Sequence, residues 1–354
     1  MTSIAKTKPE ANSGLFGHCS GGQLADWVAQ LPADPIVADV IDSAPFRRLK
    51  RISFLGALDH VAPTRKLSRQ LRSRAEHSLN VAALASFVSQ HRGYDEDLRR
   101  HLVIAGLLHD IGHPPLSHSV EPYLKKRFGY GHHEMGEMLI TGRHKAGLSL
   151  KKTLIRAVDT GFIGDLIDGK ASADVGGDLF SSAINIDTID GIIRSYRYLS
   201  DSPTTLDPLQ VAMASFLADS NERFAILDKF WSLKGFIYNN LITRDIGLIA
   251  DQYSQVYLAD TKQSLNEHDL FDSEQQWARK YRKLFRGLSA IKTIADAPDE
   301  LNNVTMEYKL RRYTIKRDRF DKQRYLCVKE PVKQTLSKMA KNLGGFKAQL
   351  SLSL

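Results

Sequence analysis

The apolar run Leu102-Val103-Ile104-Ala105-Gly106-Leu107-Leu108 leads directly into His109-Asp110-Ile111-Gly112-His113-Pro114-Pro115-Leu116-Ser117-His118, and no other stretch restricts the fold as strongly. A helix apolar on every side has to lie in a core. Its last turn delivers an adjacent His and Asp, and neutral imidazole with carboxylate suits a first-row divalent metal. Pro114 and Pro115 forbid further helix and hold His113 extended. His113 and His118 should then lie on a loop folded back over the helix end. The pattern predicts a metal site with catalytic groups beside it.

A second imidazole belongs with it. After Arg74-Ala75-Glu76, His77 is followed by Val81, Leu84, Ala85 and Val88 at i+4, i+7, i+8 and i+11, one face at helical period. A lone His on such a face is more often a hydrogen-bonded core residue, but His109-Asp110 downstream favours a ligand. Further on, Ile186, Ile189, Ile193 and Tyr196 share one helical face, while Asp187, Asp190 and Arg194 share another. That acidic stripe reads either as a surface ion-pair ladder or as a further metal ligand with a stabilising neighbour. Glu121 sits in a short amphipathic piece over 119–130, and His132-His133-Glu134 begins another helix. Spacing alone leaves that last cluster on the surface.

The rest of the chain reads as mainly helical. Residues 1–22 lack the apolar core of a secretory signal and read as a flexible leader. Residues 23–260 form the expected core and 261–354 a C-terminal region. Within 23–58, Asp42 or Ser43 should cap a helix through Phe46, Leu49, Ile52 and Phe54 that ends at Gly56. The basic stretch 59–73 reads as a loop, and glycine-rich 141–182 as mobile connections between short helices, a candidate lid. Helical spacing returns from Asp207 to Leu258, and the strand formers of 308–328 predict a small basic β unit. The two cysteines, Cys19 and Cys327, offer no disulfide framework, so the cytoplasm is the default. No run is long and apolar enough to span a membrane. Residues 301–354 hold 13 Lys+Arg against 4 Asp+Glu, the same net +9 as the whole chain. Nucleic acid, an acidic surface or polyphosphate would be attracted there; with no motif behind the charge, a solvated face takes precedence.

His77, then His109-Asp110, then Asp187 resembles the H…HD…D signature of HD-domain metal phosphohydrolases. The fuller strings Arg74-x-Glu76-His77-Ser78, His109 through His118 and Asp187-Thr188-Ile189-Asp190 resemble the branch of deoxynucleoside triphosphate triphosphohydrolases. Phe46 through Ile52 is similar to the opening helix of that branch, and Tyr238 sits where a late helix carries a Tyr; the resemblance covers about 36–258. It implies a mainly α HD-domain helical bundle with a small basic α+β appendage at the C-terminus. It also implies that His77, His109, Asp110 and Asp187 hold one divalent metal (Mn, Mg, Fe, Ni or Zn). His118 would protonate the leaving oxygen with Glu121 as acidic helper, and His113, His133 and Glu134 would surround the reacting phosphate. Arg74, Asp190 and Arg194 would contact substrate, as would Phe54, which stands where the branch commonly has a Gln that reads the sugar 3′-hydroxyl. Thr188 and Gly191 replace a usual Lys and Tyr, so the metal and acid groups are kept while the sugar and polyphosphate contacts differ. The expected activity is release of a deoxynucleoside and triphosphate from a nucleotide by a homo-oligomer. The alternatives are hydrolysis of another nucleotide or an oligonucleotide end, or a non-catalytic sensor.

Overall fold

The structure, a computed structural model, describes residues 23–61, 72–200, 204–261, 265–318 and 323–337. The expected leader, most of the basic stretch 59–73 and the extreme C-terminus lie outside the described residues. What is described is a helical bundle with one two-stranded antiparallel sheet, as the sequence predicted.

Two central helices carry the first two motifs. Arg74–His91 starts where the Ser73 hydroxyl accepts from Glu76 N, and it buries Val81, Leu84, Ala85 and Val88 together with His77. Glu96–Leu108 starts where the Asp95 carboxylate accepts from Leu98 N at 2.8 Å, and it buries every residue from His101 to Leu108. The pair can pack closely because Gly106 has no side chain: a Cβ there would lie 2.9 Å from Ala82 Cα. Ile186–Tyr196 packs across the first of these helices and brings Asp187 toward both.

The helix expected through Phe54 is shorter. Ser43 caps Ala44–Leu49, after which Ser53 forms an isolated antiparallel bridge to Ser73. Phe54 N donates to Arg72 O at 2.7 Å and Arg74 N to Ile52 O at 2.9 Å. Hydrogen bonding to a distant segment thus overrides the local apolar period and sets Phe54 beside Arg74. The glycine-rich 141–182 holds short helices, as expected, in Leu148–Leu154, Thr160–Ile167 and Asp178–Ser181, which pack through buried Leu150, Ile163, Leu166 and Leu179.

The C-terminal part is tied into the core. Buried Glu274 accepts from Ser53 N (2.9 Å), His60 Nε2 (3.0 Å) and Leu116 N (3.2 Å), joining it to the loop after His109-Asp110. The basic β unit is a hairpin of Thr305–Ile315 (β1) and Tyr325–Thr335 (β2), in register at Thr305↔Thr335 and Ile315↔Tyr325. It rests on helix Arg223–Ile237, where Trp231 Nε1 donates to Thr314 O at 3.1 Å.

Gly112 marks the tightest contact at the motif loop, since a Cβ there would lie 2.1 Å from His132 O and 2.2 Å from Gly136 N. Both are backbone atoms and cannot rotate aside. Gly112→Ala should therefore cost about 2–3 kcal/mol, as overpacking in a closed core does. Urea unfolding measures it, and an unchanged midpoint would show that the two segments separate freely.

Candidate metal centre

Three helices converge on one point. His77 Nε2 and His109 Nε2 lie 3.2 Å apart. Asp110 Oδ2 is 3.6 Å from the first and 3.5 Å from the second, and Asp187 Oδ1 is 3.1 Å and 3.8 Å from them. The four residues named from the sequence as ligands are thus gathered around a common centre.

The tautomers show what the centre accepts. His109 Nδ1 lies 2.8 Å from Gly106 O, an acceptor only, so it carries the proton and leaves Nε2 bare. His77 Nδ1 donates to Asp190 Oδ2 at 2.7 Å, and its Nε2 likewise faces inward. Two imidazole lone pairs and two carboxylates pointing at one spot repel unless a cation sits between them, so the donor set fits a divalent metal. Without one, burial disfavours a charged His77, but hydrogen bonds to Asp187 and Asp190 and the nearby Asp110 lift its imidazole to about 9.

Asp190 and Arg194, expected on the substrate, lie behind the ligands. Asp190 is buried and accepts from His77 Nδ1, Asn80 Nδ2 (2.7 Å) and Arg194 Nε (2.8 Å). The open surface ladder is therefore excluded for this pair. Burial opposes its charge, yet Arg194 and His77 hold the Asp190 carboxyl below the usual carboxylate range. Its place is to fix the His77 ring and tautomer. Arg74 is equally committed: Nε donates to Ser117 Oγ (3.0 Å), Nη1 to Asp110 Oδ2 (2.6 Å) and Nη2 to Phe54 O (2.7 Å). Burial opposes ionisation of Asp110, but His109, Arg74 and His113 keep it ionised.

A second group lies alongside. The His113 and His132 rings stack at 4.1 Å and 13°, with His118 edge-on to His113 at 4.5 Å. Glu121 joins them, its Oε2 accepting from His118 Nδ1 at 3.1 Å and its Oε1 from His132 Nδ1 at 3.0 Å. Burial raises the Glu121 carboxyl, but these two imidazoles pull it well below the carboxylate range. His113 is fully buried, its Nε2 lying 3.1 Å from Asp110 Oδ1 while its Nδ1 has no hydrogen-bond partner. Burial and the Arg74 and His132 charges push it well below the usual imidazole value, so it stays neutral. Leu116 (φ 63°) and Ser117 (φ 48°) hold the loop in left-handed backbone, a cost that the bonds from Leu116 N to Glu274 and from Ser117 Oγ to Ser53 O (3.0 Å) offset.

His133 is exposed on the cavity wall, while the Glu134 carboxylate accepts from Gly131 N at 2.8 Å and caps its own helix. The more enclosed member of that cluster is His132, which spacing alone did not separate from its neighbour. Asn80, one turn beyond His77, was also passed over; its i+3 position is the signal that could have found it. Phe54 is 8% exposed, its ring 4.9 Å from that of His77 and within 5.7 Å of the Arg74 and Arg194 guanidinium carbons. Both groups open into a cavity of about 520 Å³ whose other walls include Phe54, Ile167, Phe180, Tyr238 and Arg311.

Residues 74–162, which carry the first two motifs, match the family model described as HD domain. The chain is similar to an uncharacterized protein (MJ1154) of Methanocaldococcus jannaschii, 31% identical over 47% of this chain and 34% of that protein. It is also similar to a deoxyguanosinetriphosphate triphosphohydrolase-like protein of Rhodopseudomonas palustris, 30% identical over 39% of this chain and 34% of the relative. A deoxynucleoside triphosphate triphosphohydrolase SAMHD1 homolog of Dictyostelium discoideum is 25% identical over 71% of this chain and 55% of its own length. The chain thus spans between about a third and somewhat over half of these relatives. No described helix is long and apolar enough to cross a membrane.

Two outcomes follow from the centre. Asp190→Asn leaves His77 in place but weakens its anchor, so Mn²⁺ affinity should fall about 10- to 100-fold; unchanged affinity in calorimetry would remove the orienting role. In metal-free protein, a folded His77 value near 9 lies above the unfolded value of about 6.5. Its stabilisation is then full below about 6.5 and lost as pH rises toward 9. The melting temperature of metal-free protein should fall across that window, and His77→Gln should abolish that contribution; a flat profile would refute it.

Proposed function

We propose that the chain is a metal-dependent phosphohydrolase, and specifically a dNTP triphosphohydrolase that releases a deoxynucleoside and inorganic triphosphate. The observation that carries this is the placement of the His77, His109, Asp110 and Asp187 donors and the His118–Glu121 pair on one cavity of nucleotide size. The likeness to the triphosphohydrolase-named relatives of Rhodopseudomonas and Dictyostelium supports it.

In this reading a phosphate oxygen of the substrate meets the four-donor centre, while water attacks the adjacent phosphorus and the bond to the sugar oxygen breaks. A divalent metal held there supplies Lewis-acid withdrawal of charge from the phosphate. His118 delivers a proton to the departing oxygen. Burial lowers the His118 imidazole below its usual value, opposed by the Glu121 hydrogen bond and aided by the Arg74 charge, so Glu121 is the group that favours the protonated form the step needs. Neutral His113, fully buried and outside the cavity lining, packs between Asp110 and His118 and positions them without touching the phosphate, while His133 meets it from the cavity wall. Arg74 acts through Asp110, fixing the carboxylate that the centre requires. Phosphoryl transfer needs mainly positioning and charge neutralisation, and these residues provide both. A homo-oligomer belongs to the same reading, by likeness to the family.

One observation favours a second substrate class. The Phe54 ring offers no hydrogen bond where a sugar hydroxyl would be read, so a modified nucleotide or an oligonucleotide end is the alternative. Its phosphodiester would use the same donors.

Chromatographic product analysis over dNTPs and short oligonucleotides with Mn²⁺ or Mg²⁺ separates the two. Inorganic triphosphate from at least one dNTP is expected; cleavage of oligonucleotides alone would establish the alternative. His118→Ala should lower kcat about 10²- to 10⁴-fold with metal content unchanged. Full turnover in that variant would eliminate the proton-transfer role.

A further inference from the structure

The walls of the main cavity carry two arginines and no lysine among the described residues. Buried Arg74 spends three of its five N–H groups, one on each nitrogen, on Ser117, Asp110 and Phe54. The nearby amine of buried Lys234 donates to Ala183 O at 3.0 Å and lies outside the lining. That leaves Arg311, which comes from the β-hairpin and not from the HD helices.

Its surroundings look prepared for an anion. The Arg311 guanidinium lies 4.3 Å from the centroid of the Tyr238 ring, another cavity residue. A guanidinium laid on an aromatic face keeps its in-plane N–H groups directed outward, which suits bidentate binding of phosphate. Arg312 next to it pairs with Glu330 at 3.0 Å, whereas no carboxylate among the described residues pairs with Arg311. Directly across the strands stands Lys329, and like charges facing each other on a hairpin destabilise it unless an anion intervenes. The hairpin is also held firmly. Arg324 grips Asp228 through Nε (3.1 Å) and Nη2 (2.5 Å), Tyr325 OH donates to Asp228 Oδ1 at 2.8 Å, and Trp231 sits edge-on to Tyr313 at 5.3 Å.

We propose that Arg311, with Lys329 opposite it, binds the phosphate chain of a nucleoside polyphosphate and so makes the C-terminal hairpin part of the substrate site. The proposal deepens the phosphohydrolase reading and rests on it for the identity of the substrate. It assigns the hairpin a preference for substrates with several phosphates over those with one.

Inorganic tripolyphosphate is the probe, titrated calorimetrically into the full chain and into Arg311→Ala, Arg311→Lys and Lys329→Ala, with melting curves checking that each folds. Wild type should bind, Arg311→Ala should bind roughly 10- to 100-fold more weakly, and Arg311→Lys should recover only part, because an ammonium cannot form the fork. Lys329→Ala should lose less than Arg311→Ala. Equal affinity in wild type and Arg311→Ala, or no binding by wild type, would overturn the proposal. dNTP turnover measured on the same proteins separates the two ideas. Tripolyphosphate binding that depends on Arg311 without dNTP hydrolysis would sink the proposed activity alone, and hydrolysis with an unchanged KM in Arg311→Ala would sink the hairpin's role alone.

Discussion

Two imidazole nitrogens 3.2 Å apart, flanked by two carboxylates, need a positive charge between them, a metal ion or a proton on His77, and much of the surrounding structure enforces that arrangement. Gly106 lets the two central helices approach until the rings meet. Its carbonyl then accepts the His109 Nδ1 proton, so one residue sets both the helix spacing and the tautomer. Asp190 does the same for His77 and is itself held by Asn80 and Arg194. The protein meets the electrostatic cost of this centre in advance, and binding of a cation returns it.

Asp110 links that centre to the neighbouring histidine cluster. Its Oδ2 faces the two imidazole ligands and Arg74, while its Oδ1 lies 3.1 Å from His113 Nε2. His113 stacks on His132, and Glu121 joins His132 to His118. A displacement of the motif loop would therefore disturb the donor set and the His118–Glu121 pair together. This explains why the loop is bound from the C-terminal side by Glu274 despite its left-handed residues Leu116 and Ser117: the fixed geometry is worth the backbone strain.

The most legible parts of the sequence were those in which one local pattern carries the information. The all-apolar run before His109, the period of Val81 through Val88, and the isoleucine stripe of the helix that carries Asp187 each point to a burial face, and the structure places them accordingly. The illegible parts depend on partners distant in the chain. Phe54 looked helical until the Ser53–Ser73 bridge is known. Arg74 resembled a phosphate clamp because its three acceptors lie at residues 54, 110 and 117, which no local pattern brings together. Asp190 and Arg194 gave the right spacing for an ion pair, but whether it was exposed depended on packing against the His77 helix.

Charge placement in the C-terminal region shows the same limit from another side. Thirteen Lys+Arg in 301–354 read as a solvated face when counted, yet the hairpin sorts those among the described residues by direction. Arg324 is buried on Asp228 and serves packing, Arg312 and Lys333 pair with Glu330 and Glu307 on the outside, and Arg311 turns to the cavity. Strand alternation makes that sorting inevitable, since neighbours on β1 must face opposite ways. Once Trp231 and Tyr313 fix which face meets the helix, Arg311 shares the face of Tyr313 and points inward with it. An appendage that looked separable in the sequence is thereby joined to the metal centre through the cavity they both line.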